Sequence, residues 1–253
     1  MSRREFLGWV GAAALSGCAT TGAGSETFRA PSPAGGIRAV AFDLFTLFDP
    51  RGVDLRVAEV LGEPRALAAI WKSKLFEYSW LRAASGQYRD FEALSGDALS
   101  YAAEAADVRL SAAAREELKS AFTELDAWPD SAEVLQQLRR RGLKLAPLAN
   151  FAPGMIERLL GRAELTDLFD ALISTDRAQT YKPAPRAYAL AETVLGLPRQ
   201  QIAFSAFGGW DAAGAHWFGL PTFWVNRLAQ PAEELGAVTA SGPDLRALVR
   251  WLG

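Results

Sequence analysis

From residue 129 to residue 225 short apolar runs alternate with helical stretches, and no other feature of the sequence constrains the fold as strongly. A helix running to Arg141 is followed by a strand at Leu143 to Ala149 and a helix from Pro153 to Leu160. A strand near Ala171 to Ser174, a helix from Pro185 to Leu195, a strand at Ile202 to Ala206, a helix through Trp210 to Trp217 and a strand at Thr222 to Val225 complete the series. Parallel strands can be joined only by a crossover of this length, so the alternation predicts βαβ units and a parallel sheet. The apolar run Ile37 to Phe42 suits the first buried strand of the same sheet. Between residues 53 and 125 the spacing is helical instead. Leu67, Ile70, Trp71, Leu75 and Tyr78 recur at three and four residues, with further apolar faces around Phe91 to Tyr101 and Ala113 to Phe122. The expected fold is α/β: a Rossmann-like doubly wound core from residues 37–50 and 127–253, interrupted after its first strand by a four-helix-like cap at 51–126. Pro147 is awkward in this scheme, since it lacks an N–H in a strand that should be central.

Residues 1–36 read as an address. Ser2-Arg3-Arg4-Glu5-Phe6-Leu7 precedes an apolar stretch from Trp9 to Leu15 and then Leu15-Ser16-Gly17-Cys18. Charged region, short hydrophobic region and small-residue processing site stand in signal-peptide order. The hydrophobic part is too short for an ordinary transmembrane helix. The paired arginines followed by Phe-Leu resemble a twin-arginine export signal, and Leu15 to Cys18 resembles a bacterial lipoprotein box, with Cys18 the acylated residue. Residues 19–36, rich in Gly, Ala, Ser, Thr and Pro, read as a tether. The expectation is a periplasmic protein, lipid-anchored to a bacterial membrane after export.

Composition narrows the chemistry. With 27 Lys and Arg against 29 Asp and Glu, mixed along the chain, there is no electrostatic footprint for nucleic acid. The single cysteine, Cys18, excludes an internal disulfide, a cysteine-based zinc site and an iron–sulfur cluster. His216 is the only histidine, and its Ala-Ala-Gly-Ala-His-Trp-Phe-Gly context reads as the packed face of a helix rather than a metal or triad position.

Ligands of such sheets bind beyond the carboxyl ends of the strands. Those ends carry Asp43, Asn150, Lys182 shortly after the third strand, and Asp211. A carboxylate there can act as a nucleophile, forming an ester that water later opens. A neighbouring lysine keeps it ionised and offsets the charge of an anionic substrate, and the helix starting at Pro153 offers free N–H groups to an anion. Each residue taken singly has an ordinary alternative: a strand-end aspartate caps the next helix, and aromatic residues mark core.

Together the motifs Phe42-Asp43-Leu44-Phe45-Thr46-Leu47-Phe48-Asp49, Ala149-Asn150, Tyr181-Lys182-Pro183 with Arg186 and Tyr188, and Gly209-Trp210-Asp211-Ala212-Ala213-Gly214-Ala215 resemble those of the L-2-haloacid dehalogenases, within the haloacid dehalogenase superfamily. The cap segments around Trp71, Phe76 to Arg82, Phe91 and Asp97 to Leu99 match as well. The resemblance implies that Asp43 displaces halide from the substrate α-carbon with inversion and that the ester is then hydrolysed. It implies Lys182 as charge partner, Asp211 as the group orienting Lys182 and water, and Tyr188 as a contact shaping the pocket. Asn150 would hold the leaving group or substrate, Lys72 would stand in the halide-receiving position, and Phe45, Phe76, Phe91, Phe151 and Trp210 would form an apolar wall that excludes water. The partner is a small anionic substrate, with no metal and no cofactor; a homodimer is left open.

Superfamily phosphatases usually carry a second aspartate two positions after the nucleophile, where this chain has Phe45. Without that carboxylate an alkoxide leaving group loses its general acid, typically about 10²–10⁴-fold, whereas halide needs no proton to leave. The expected activity is therefore hydrolytic dehalogenation of small (S)-2-haloacids to 2-hydroxy acids. The alternatives are a phosphatase and a small-carboxylate-binding protein with a degenerate site. The last is motivated by departures from the family pattern: a first motif one residue short that displaces Thr46, Lys72 for an arginine, Ala149 and Ala206 for serines, and Gly208 for an asparagine. A lysine lacks the planar fork of arginine.

Overall fold

The computed structural model describes residues 36–62, 65–235 and 240–253. The expected export signal, Cys18 and the tether up to residue 35 lie outside the described residues. Among the described residues six strands form one sheet: β1 Ala39–Phe42, β2 Lys144–Ala149, β3 Ile173–Ser174, β4 Ile202–Ala206, β5 Thr222–Val225 and β6 Ala240–Gly242. All pairings are parallel, in the order β3-β2-β1-β4-β5-β6. The order reverses direction at β1, where such sheets open a crevice at their carboxyl ends.

The two-residue period of β1 divides the core. Val40 and Phe42 join one buried cluster and Ala39 and Ala41 the other. The first cluster packs α5 (Ser131–Arg140), α6 (Pro153–Arg162) and α9 (Leu245–Trp251), while α7 (Pro185–Leu195) and α8 (Gly209–Phe218) cover the opposite face. This is the doubly wound α/β architecture. The first cluster also continues into the insertion, through Trp71, Leu94 and Phe122.

The insertion holds α1 (Gly52–Leu61), α2 (Arg65–Ser85), α3 (Phe91–Ala105) and α4 (Ala112–Lys119), the last followed by a 3₁₀ turn at Ser120–Thr123. Asp90 and Ser111 cap α3 and α4 by accepting from Ala93 and Ala114 N–H. The chain enters and leaves the cap side by side: Asp49 N–H donates to Asp126, Trp128 N–H donates to Leu47, and Phe48 bridges Ala127.

Several expectations need correction. β3 begins at Ile173 rather than Ala171, and its two residues are all the ladder needs at that edge. β6 and α9 lay beyond the predicted elements, because Ala240-Ser241-Gly242 has no apolar run and becomes a strand only by pairing with β5. His216 is exposed, not packed: α8 buries Ala212, Ala213 and Ala215 and turns His216 outward. Pro147 is accommodated by alternation. Leu145 N–H donates to the Asp170 carboxylate and its carbonyl accepts from Asp170 N–H, both on the side of β3. Pro147, two residues on, points its nitrogen the same way, and β3 pairs only from Leu148 onward.

Candidate active site

Asp43 ends β1, tied to β4 by its N–H, which donates to Ser205 at 2.9 Å. Its backbone is extended (φ −63°, ψ 134°) and leads into a 3₁₀ turn at Leu44–Thr46, so the carboxylate leaves the sheet at the rim. Lys182 Nζ donates to Asp43 Oδ1 at 2.8 Å and to Asp211 Oδ2 at 2.7 Å. The side chains of Lys182 and Asp211 are each 1% exposed, whereas Asp43 keeps 15%. Asp43 is thus the member of the trio presented to solvent space, and the other two stand behind it.

Burial raises Asp211 up to about 6 and the negative Asp43 adds to this, against the opposing pull of Lys182. Burial alone would lower Lys182, but the charges of Asp211 and Asp43 more than offset it and hold the ammonium above the ordinary lysine range. A cation shared by two carboxylates leaves one net negative charge at the sheet mouth.

Two expected contacts have different roles. Tyr188 does not border the cavity: it is fully buried behind Asp211, donating from its hydroxyl to Asp211 Oδ1 at 2.6 Å. Burial, with Asp211 adjacent, holds that phenol well above its usual range, so it stays a donor. Asn150 does line the cavity, but its side-chain oxygen accepts from Lys182 N–H at 2.8 Å and from the Thr175 hydroxyl at 3.3 Å. It anchors the backbone that carries the lysine. Thr46 is buried and gives its hydroxyl to the Asp43 carbonyl at 2.7 Å, so the shortened first motif turns it inward.

A cavity of about 270 Å³ opens above Asp43, between core and cap. From the core it receives Phe45, Phe151, Phe207 and Trp210, and from the cap Phe76, Phe91 and Phe122. Phe91 and Phe151 meet across the division at 4.7 Å between ring centroids, and Phe76 meets Trp210 at 5.6 Å. Lys72 lies on the cavity wall with both oxygens of Asp54 at 2.6 Å from its ammonium. Sequence reasoning missed Phe207, Phe122, Asp54, Arg51 and Arg227 as wall residues. Arg227 lies two residues beyond β5, so the strand-end rule applied once more would have found it. Asp54 has no comparable signal, because it reaches the cavity only through the position of α1.

Gly214 allows α8 to approach the loop after Lys182. A Cβ there would stand 2.6 Å from Pro183 Cβ and 2.7 Å from the Tyr188 hydroxyl. Gly214→Ala is expected to lower stability by about 1–3 kcal/mol through overpacking and to loosen Tyr188 from Asp211. Thermal denaturation reads the first effect, and an unchanged midpoint would refute it.

Residues 37–219 match the family model described as haloacid dehalogenase-like hydrolase. The (S)-2-haloacid dehalogenase of Pseudomonas sp. (strain YL) is 42% identical over 202 residues, which cover 79% of this chain and 87% of that one. A crystal structure of an L-2-haloacid dehalogenase aligns with TM-score 0.83 and 38% identity over 86% of this chain and 99% of its own. The L-2-haloacid dehalogenase from Xanthobacter autotrophicus with chloropropionic acid covalently bound aligns with TM-score 0.79 and 32% identity, covering 85% and 97% of the two chains.

Proposed function

Because this chain belongs to the L-2-haloacid dehalogenase family of the haloacid dehalogenase-like hydrolases, we propose that it hydrolyses small (S)-2-haloacids to 2-hydroxy acids through an ester on Asp43. One observation carries the chemistry: a carboxylate at a strand end, held by a buried lysine at 2.8 Å and open to an aromatic cavity, with a phenyl ring two residues on where an acid would sit.

An oxygen of Asp43 attacks the substrate α-carbon, and the carbon–halogen bond breaks with its electron pair leaving on the halide. The seven rings around the cavity make an apolar surround that limits the water beside a bound substrate, which strengthens the field of Lys182 on the reacting anions. A water then attacks the Asp43 carboxyl carbon and the ester opens. The α-carbon keeps the oxygen that Asp43 brought, the carboxylate regains one from water, and one proton is released. Only one displacement occurs at the α-carbon, so configuration inverts overall. Asp211, its other oxygen held by Tyr188, keeps Lys182 aimed throughout.

Halide release from (S)-2-chloropropionate, with the (R) enantiomer for comparison, tests the reaction. Phosphate release that needs Mg²⁺, with no halide release, would replace it by the phosphatase reading, for which Phe45 supplies no acid. Activity is expected to fall as pH drops through about 6, because protonated Asp211 loses its grip on Lys182. Asp211→Asn should flatten this acidic limb as well as lower kcat. An acidic limb that survives in the variant would assign it to another group.

Arg3-Arg4 with Leu15-Ser16-Gly17-Cys18 supports export by the twin-arginine route and a periplasmic, lipid-anchored location. Labelled fatty acid on the wild type and none on Cys18→Ala, with release of the variant from membranes, is the expected result. A homodimer would give the exposed Leu81 and Tyr101 of the cap apolar surface to cover, and sedimentation equilibrium measures it.

A further inference from the structure

Among the described residues four cations border the cavity, and each already holds a carboxylate. Lys182 lies between Asp43 and Asp211, Lys72 is 2.6 Å from Asp54, Arg51 is 2.6 Å from Asp49, and Arg227 is 2.8 Å from Asp130. Arg227 also donates twice to the Thr46 carbonyl, which commits its guanidinium further. Among the described residues the wall therefore presents no unpaired cation to a second negative charge on a substrate. Seven aromatic rings share that wall with the four cations.

Size points the same way. The cavity offers about 270 Å³ to its occupant. A three-carbon bromoacid has only six heavy atoms and would leave part of the ring wall wet. Apolar surface left facing water contributes nothing to binding, whereas a longer substituent would cover it.

We infer that, among small 2-haloacids, the preferred substrates carry an apolar second substituent on the α-carbon that is larger than methyl, a butyl or benzyl group, and that the Asp54–Lys72 pair discriminates against a distal carboxylate. This rests on the dehalogenase reading of Asp43. The substituent lies along the phenyl rings from cap and core, while the substrate carboxylate stays near Lys182. Asp54 cancels the charge of Lys72, so a distal anion that reaches this part of the wall meets a neutral pair and must displace Asp54 to gain a partner. A Lys72 left unpaired would attract such a group instead.

Initial rates of bromide release from (S)-2-bromopropionate, (S)-2-bromohexanoate, 2-bromo-3-phenylpropionate and 2-bromosuccinate test the inference with the intact folded chain. Each buried methylene is worth about a fourfold gain and the hexanoate has three more than the propionate, so kcat/KM is expected to rise about 60-fold if all three are buried and about 16-fold if two are. The phenyl substrate should behave like the hexanoate, and the succinate should be the poorest of the four. In Asp54→Asn the ratio of kcat/KM for succinate to that for hexanoate should increase about tenfold, as Lys72 becomes available. A propionate preferred over the hexanoate overturns the size preference, and an unmoved ratio in Asp54→Asn overturns the role of that pair. Bromide release from none of the four, propionate included, is instead the failure of the dehalogenase reading itself.

Discussion

Asp43→Asn is expected to reduce halide release by a factor on the order of 10⁴ or more, because it removes the atom that forms the covalent bond rather than a group assisting it. An amide oxygen is a far weaker nucleophile than a carboxylate. The amide still accepts a hydrogen bond, so the oxygen facing Lys182 at 2.8 Å can keep its partner and the fold should persist. Mass spectrometry separates the two consequences. After brief exposure to a haloacid the peptide containing Asp43 should gain the mass of the acid less hydrogen halide, and the corresponding peptide of the Asp43→Asn variant should not. An adduct found on a different residue, or turnover retained in the variant, would end the nucleophile assignment.

Lys182→Met carries the second large effect, on stability and activity together. The lysine is 1% exposed and is the counter-charge of two carboxylates, one of them equally buried. Removing one side of a buried ion pair leaves the other uncompensated, at a cost of about 3–5 kcal/mol. The folded state can lessen this only by keeping a proton on Asp211 that water would not, so the loss should grow as pH rises above about 6, the value to which burial already lifts that group. Denaturant unfolding at pH 5.5 and pH 8 measures the difference. Lys182→Met combined with Asp211→Asn should recover much of the stability and none of the turnover, since it removes the stranded charge without restoring a cation beside Asp43. Equal destabilisation by the single and double variants would mean that the lysine contributes through packing, not charge.

The elements with a strong local signal were legible before any coordinates. β4, β5 and α7 stand where the apolar runs and the proline-started helix place them. Asp43, Asn150, Lys182 and Asp211 were legible for a related reason: in a parallel sheet every strand end comes to the same rim, so residues that are 168 positions apart at most can be assigned to one place without knowing a distance. β6 was not legible, because its three residues are small and polar and depend on a neighbour. His216 was misjudged because apolar neighbours along a helix do not say which way one side chain on it turns.

The sequence by itself determined five of the six strands, their parallel sense and the four polar groups Asp43, Asn150, Lys182 and Asp211 at the sheet's mouth, because hydrophobic period and crossover length are local properties of the chain. Only the tertiary structure decided which of those groups touches what: that Tyr188 stands behind Asp211 rather than in the cavity, that Asn150 holds a backbone, that Thr46 turns inward, and that Asp54 neutralises Lys72. A hydrogen bond or ion pair depends on separations of a few tenths of an ångström and on the direction of each side chain. Both are set by how α1, α2, α7 and α8 pack on the sheet, long-range information that no run of neighbouring residues contains.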